Sequence, residues 1–292
     1  MYPTIRIPSE IVVDIQTFNL CAILAVLTLV LSVIFKLRKE RNFSNEVYYI
    51  VPKLFIALGL GIGGAALFDA VVQYAEHGVF RYTGISYYGG FIIGLPALVL
   101  MLKLFRKNTT KSVMEWLDFI TVPFIAFHCV ARFGCFLGGC CYGVETDGPF
   151  GLLFPDNPAS GIYHYGKKVL PTNLFEACGL FALGLVIFFF VKKHRFTVYI
   201  FSYAVMRFII EFWRGDDRGA YVGALSPSQF VSVMIVVIGV LLLAVNFAVK
   251  RRRGQTAHIP VDEQNGLISQ NGAESTEQSD GSAQIANEKG SA

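Results

Sequence analysis

Charge is what this sequence lacks most: Lys, Arg, Asp and Glu together supply 16% of its 292 residues. At 54% hydrophobic residues and a mean hydropathy of +0.52, it is more apolar than soluble globules, where the apolar share is about 45–50%. That excludes an ordinary soluble enzyme and predicts a polytopic membrane protein. No phosphate-binding loop of the form Gly-x4-Gly-Lys-[Ser/Thr] occurs. No internal repeat of the kind that marks many transporters is found either. The basic residues form short clusters that membrane topology explains, so no nucleic-acid partner is expected. The start, Met1 to Gln16, lacks a basic region leading directly into an apolar core and a small-residue cleavage site. The first apolar run is therefore expected to remain as a helix.

What is present are apolar runs of spanning length, roughly 20 residues each. Seven are expected, at about 17–36, 48–75, 88–105, 115–138, 172–191, 197–213 and 227–249, in an all-α fold. Lys and Arg cluster after every odd-numbered run: Lys36, Arg38, Lys39 and Arg41; Lys103, Arg106, Lys107 and Lys111; Lys192, Lys193 and Arg195; Lys250 to Arg253. The positive-inside rule then puts the N-terminus outside and the C-terminus in the cytoplasm. Residues 1–253 form the expected seven-helix membrane domain. The tail 254–292, rich in Gln, Asn, Ser, Gly and Ala, has too few apolar residues to offset the entropy of ordering and is expected to be a disordered cytoplasmic extension.

Arg132 to Gly143 stands apart from this apolar background. It carries an arginine, four glycines and three cysteines at the end of the fourth run. Glycines there can serve close helix packing, and an arginine can snorkel to the headgroups. A buried membrane charge more often marks a site. By the derived topology, Tyr88 opens the third run at the outer level, and Asn173 and Glu176 open the fifth. Arg207 and Glu211, four residues apart and so on one face, end the sixth with Trp213 and Arg214. Thr172 or Asn173 can also cap a helix with Glu176 in its first turn, and Arg207 and Glu211 can simply neutralise each other. Two arginines and two carboxylates at one level can bind an anion and handle a proton. Guanidinium suits a phospholipid phosphate because it offers several directed donors and stays charged. Ser226 to Gln229 opens the seventh run as Thr172 and Asn173 open the fifth, and makes Gln229 a candidate lining residue.

The order and spacing of these residues resemble the prolipoprotein diacylglyceryl transferase family. The motifs are Arg-x-Gly-x-Phe-x-x-Gly at Arg132 to Gly139, Pro-[Ser/Thr]-x-Leu-[Tyr/Phe]-Glu at Pro171 to Glu176, and Arg-Phe-x-x-Glu-Phe-x-Arg at Arg207 to Arg214. Gly89-Gly90 and Ser-x-x-Gln at Ser226 to Gln229 complete them, so the resemblance spans roughly 17–249. It implies a multi-pass plasma-membrane enzyme without a cofactor or metal. Such an enzyme moves the diacylglyceryl group of phosphatidylglycerol to the lipobox cysteine of a bacterial preprolipoprotein signal peptide. It also implies catalytic roles for Arg207, Glu211, Tyr88 and Glu176. Phosphatidylglycerol binding falls to Arg132, Gly134, Cys135, Cys140, Asn173, Arg214 and Gln229. The sequence departs from the family pattern at Cys135, where Asn is usual, and at Cys140, where Glu is usual. Tyr88 and Leu170 stand where histidines are usual. The phosphate-binding half of the site is kept and the proton-handling half is altered.

Two rival readings remain open. A divergent member of the same scaffold could use Cys135, Cys140 and Cys141 differently, through a disulfide or a soft metal with His128 or His164, although the spacing fits no standard zinc pattern. A non-catalytic lipid-binding protein or transporter is the other. The connection 139–171, which contains His164, is read as a solvated outer loop.

Overall fold

The computed structural model describes residues 4–7, 13–80, 87–154, 156, 166–215 and 225–256. Seven helices carry the fold: α1 Thr17–Leu37, α2 Phe43–His77, α3 Tyr87–Leu104, α4 Val113–Leu137, α5 Thr172–Phe190, α6 Arg195–Ile210 and α7 Pro227–Thr256. Two small antiparallel pairs accompany them. β1 (Thr4–Ile7) pairs with β2 (Val13–Gln16), and β3 (Leu152–Leu153) with β4 (Lys168–Val169). Neither pair was expected from the sequence. The protein is a mostly helical membrane protein in which five helical stretches are long and apolar enough to cross a bilayer: Thr17–Leu37, Phe43–Val71, Val113–Leu137, Thr172–Phe190 and Arg195–Trp213. Gly89–Leu104 and Ser228–Leu241 are shorter apolar helical stretches.

The chain divides into two compact units, Met1–Val236 and Val237–Ala292. The described part of the second is the later half of α7, to Thr256; the expected tail lies almost wholly outside the described residues. In the first unit, α1 packs along α4, α2 along α3, and α5 against both α4 and α6. The burial pattern follows from helical periodicity. α1 buries Thr17, Cys21, Ala25, Leu29, Val33 and Leu37, every fourth residue. Its other faces expose Ile23, Leu31 and Phe35, as an apolar solvent such as lipid permits.

The helix starts and close approaches have local causes. α4 begins at a capping box: the Glu115 backbone N–H donates to Ser112 Oγ at 3.3 Å, and the Ser112 N–H donates to Glu115 Oε2 at 2.7 Å. α2 and α3 meet through small residues. A Cβ added to Gly64 would stand 2.8 Å from the Gly89 carbonyl oxygen, closer than real contacts allow.

Alternating directions gather two polar layers at opposite ends of the first unit. At one end Glu46 accepts from Thr109 and Thr110, Asp118 accepts from the His194 and Phe196 backbone N–H groups, and Lys111 pairs with Glu40 at 3.3 Å. The ends of α4 and α6 and the starts of α5 and α7 form the other.

Candidate active site

α4 stops in a tight turn because Gly139 (φ 74°) and Cys141 (φ 59°) take left-handed backbone, which the helix cannot continue through. Residues 142–144 then form a strap. The Gly143 N–H donates to Leu170 O at 2.7 Å, and the Leu170 N–H donates to Val144 O at 3.1 Å. The Val144 N–H donates to Trp213 O at 2.9 Å, and the Gly215 N–H to Tyr142 O at 3.3 Å. Thus the turn after α4 is tied to the entry of α5 and the exit of α6. Gly143 has to be glycine here: an added Cβ would meet Trp213 O at 2.5 Å and Leu170 Cβ at 2.8 Å.

The charged groups expected at one level do come together, in two pairs. Arg132 of α4 reaches Glu176 of α5, Nε to Oε1 at 3.0 Å, and the Tyr203 hydroxyl of α6 donates to the same oxygen at 2.7 Å. Glu176 is fully buried. It therefore serves as Arg132's partner, not as a first-turn cap, because a carboxylate without water needs a counter-ion. Arg207 of α6 pairs with Glu211, Nη2 to Oε2 at 2.7 Å, and Nη2 also donates to Ser228 Oγ at 2.9 Å. Glu211 Oε1 accepts from Ser226 Oγ at 2.8 Å, and Arg214 Nε lies 3.8 Å from Oε2. Glu211 stands in a 3-10 turn, Glu211–Trp213, rather than in the regular helix expected for it. Arg207 Nη1 is buried with no hydrogen-bond acceptor among the described residues. Both arginines act electrostatically on Glu176. Two buried guanidinium groups from neighbouring helices thus face one region, each steadied by its own carboxylate.

The other expected residues divide by place. Asn173 is fully buried, but it does not cap α5: its Nδ2 donates to Cys140 O at 2.8 Å and its Oδ1 accepts from the Leu174 N–H. The Thr172 hydroxyl donates to Cys141 O at 3.0 Å. Gly134 faces α1, where an added Cβ would stand 2.6 Å from Cys21 Cβ, so its structural part is close packing. Gln229 closes a capping box on α7: its Oε1 accepts from the Ser226 N–H and its N–H donates to Ser226 Oγ. Tyr88 lies in the first turn of α3, and its side chain is outside the described residues, as is His164. His128 does not join the cysteines. Its Nδ1 shares a hydrogen bond with the Tyr199 hydroxyl at 3.0 Å and its ring lies against Tyr203.

None of the six cysteines, all of them described residues, is joined in a disulfide. The sulfurs of Cys135, Cys140 and Cys141 lie within 4.8 Å of one another. Hydrogen bonding among these thiols, with burial, pushes the Cys140 thiol up from its ordinary value, so Cys140 is no substitute for the carboxylate base usual at that position. Reading the sequence missed Tyr203, Ser226 and Ser228 as site residues. Tyr203 had a signal: it precedes Arg207 by four residues and so shares its helix face.

A family model described as prolipoprotein diacylglyceryl transferase matches residues 6–245. Among curated relatives, the phosphatidylglycerol--prolipoprotein diacylglyceryl transferase 2 of Clostridium perfringens is 34% identical over 218 residues, covering 71% of this chain and 82% of that protein. The corresponding transferase of Clostridium tetani is 31% identical over 224 residues, 72% of this chain and 85% of that one. That of Finegoldia magna is 30% identical over 244 residues, with 79% and 90% covered.

Proposed function

The chain belongs to the prolipoprotein diacylglyceryl transferase family, and on that premise we propose a division of labour among its buried residues. The enzyme transfers the diacylglyceryl group of phosphatidylglycerol to the lipobox cysteine of a bacterial preprolipoprotein. The thiol sulfur forms a bond to the glyceryl carbon that carries the phosphate, the C–O bond breaks, and glycerol phosphate leaves. One proton leaves the thiol and one new oxyanion appears on the phosphate.

Arg132 and Arg207 bind the lipid phosphate and stabilise the charge that grows on it as the bond breaks. The observation that carries this reading is the pair of buried guanidinium groups on α4 and α6, held 3.0 and 2.7 Å from Glu176 and Glu211. Glu176, Tyr203, Glu211 and Ser228 fix those groups before the lipid arrives, so little reorganisation accompanies the reaction. Arg214 adds positive field at the exit of α6. Asn173 and Cys140 form the wall of the phosphate region through their mutual hydrogen bond, with Cys135 a helical turn below. The same cationic field favours the attacking thiolate. Glu211 and Tyr88 are the groups left to guide the thiol proton. Gln229 acts by holding the start of α7 beside Arg207.

Seven spans, with the N-terminus outside and residues 254–292 in the cytoplasm, belong to the same reading. They place the site at the outer level of the cell membrane, where the lipid donor and the signal peptide both arrive. In support, α3 and α7 each contain a shorter apolar stretch, and the basic clusters follow the odd-numbered helices.

The test is transfer of labelled diacylglyceryl from phosphatidylglycerol to a lipobox peptide by the purified chain. Arg132→Ala and Arg207→Ala should each lower the rate by about 10²–10³-fold, as loss of one oxyanion donor does elsewhere. A folded wild-type chain that transfers nothing, or variants that keep full rate, would remove the assignment.

A further inference from the structure

Cys140 lines the phosphate region through its carbonyl, and the proposed transfer uses none of the three thiols beside the strap as nucleophile or base. Nevertheless their sulfurs converge to within 4.8 Å of one another, from the last turn of α4 and from the turn that follows it. Three thiolates around a zinc-sized cation, each at about 2.3 Å, stand about 4 Å apart in a trigonal plane. Closing the group from its present spacing therefore needs only small rotations about the Cα–Cβ bonds. The backbone beneath is already fixed. The Cys140 N–H donates to Cys135 O at 3.1 Å, Asn173 holds Cys140 O, and Thr172 holds Cys141 O. All three side chains are half-buried, which gives an ion a path in and limits water around it.

We propose that Cys135, Cys140 and Cys141 form a three-thiolate site for a soft d10 cation, and that its occupation switches the neighbouring phosphate site off. Soft thiolate ligands without oxygen donors select thiophilic ions over magnesium or calcium. A divalent ion displaces the three thiol protons to solvent as the three metal–sulfur bonds form, and nothing is oxidised or reduced. The complex carries a net charge of −1, from one dication and three thiolates. Arg132 precedes Cys135 by three residues on α4 and so neighbours it on the helix surface, which lets its guanidinium offset that charge. The same guanidinium is then less available to a lipid phosphate. The inhibitory half of the proposal rests on the transferase reading; the binding half does not.

Cadmium is the probe, titrated into the full chain, reduced and in detergent, with Cys178→Ser in the background to remove the exposed thiol of α5. The expected result is thiolate-to-cadmium charge-transfer absorption that saturates at one equivalent and is unaffected by excess magnesium. Cys141→Ser should weaken it by more than the about 10–100-fold that loss of an outer partner costs. Cys135→Ser, whose melting is read without metal, gives an independent ligand deletion if Cys141→Ser does not fold. Absorption that is absent, or unchanged by both deletions, overturns the site; so does loss of two of the five remaining thiols in air with no metal signal. In the transfer assay, cadmium should inhibit the parent chain and spare Cys141→Ser, each compared with its own uninhibited rate. Binding without inhibition overturns the switch. A parent chain that transfers nothing counts against the transferase reading, while the absorption titration still decides the metal site.

Discussion

Arg132 and Arg207 are both buried, yet they are secured differently. Arg132 shares one carboxylate oxygen with a tyrosine hydroxyl, whereas Arg207 divides Nη2 between Glu211 and a serine. Removing one partner of a buried pair leaves an uncompensated charge, at a cost of about 3–5 kcal/mol. Glu176→Gln should therefore lower thermal stability strongly as well as activity, while Tyr203→Phe, which keeps the charge pair, should lower stability by about 1.5–3 kcal/mol at most. Melting of both variants in detergent checks the ordering; equal loss would mean that the tyrosine, not the ion pair, secures Arg132. These arginines and glutamates were legible in the sequence because charge is rare in an apolar run and its spacing can be counted. Tyr203 was not, since a tyrosine in a membrane helix ordinarily reads as an interfacial anchor. Asn173 and Gln229 were legible as polar residues near helix starts. The partner of Gln229, the Ser226 N–H, is three residues away, but that of Asn173, Cys140 O, depends on where the chain returns.

At the scale of elements, helices were readable because each is a long apolar run bounded by charge or glycine. The short strands were not, as β3 and β4 have two residues each, too few for an alternating pattern to show. The 3-10 turn at Glu211–Trp213 was hidden for a related reason: its sequence continues the helical pattern, and the strap's bonds to Trp213 and Gly215 hold the chain out of it. The glycines of α2 and α3 form a packing face. Gly89→Ala should put a methyl group into the Gly64 backbone and the Phe68 side chain. Overpacking of that kind costs about 1–3 kcal/mol, and a fall in the melting temperature would show it. Gly63→Ala, with open space around its Cβ, should be nearly neutral in the same assay. A Gly89 variant as stable as the parent would mean that the two helices separate without cost.

Within the first unit, the polar contacts around Glu40, Lys111 and Asp118 lie at one end of α4 and the arginine–glutamate pairs at the other. Reporter fusions after residue 253 should score as cytoplasmic, and fusions within the connection 139–171 as external. The reverse result would put the site on the wrong side for a lipobox presented at the outer level of the membrane. The basic clusters carry the expected orientation, whereas helix lengths do not follow the expected runs closely. α2 holds 35 residues, about 52 Å of helix at 1.5 Å per residue. That is longer than the roughly 30 Å hydrocarbon layer. Its later part carries Asp69, and it ends at His77 with Gly78 in left-handed backbone.

The strap has a consequence for biogenesis. Its partners at Leu170, Trp213 and Gly215 follow Gly143 late in the chain, and such distant pairings form only after the intervening segments are in place. A nascent chain that has inserted α4 but not yet α6 holds Arg132 without the bonds that fix its turn. Its anion-binding half cannot assemble until α6 leaves the insertion machinery. A chain truncated before Trp213 keeps the strap's bonds to Leu170 but loses those to Trp213 and Gly215, so it should insert without showing transfer activity.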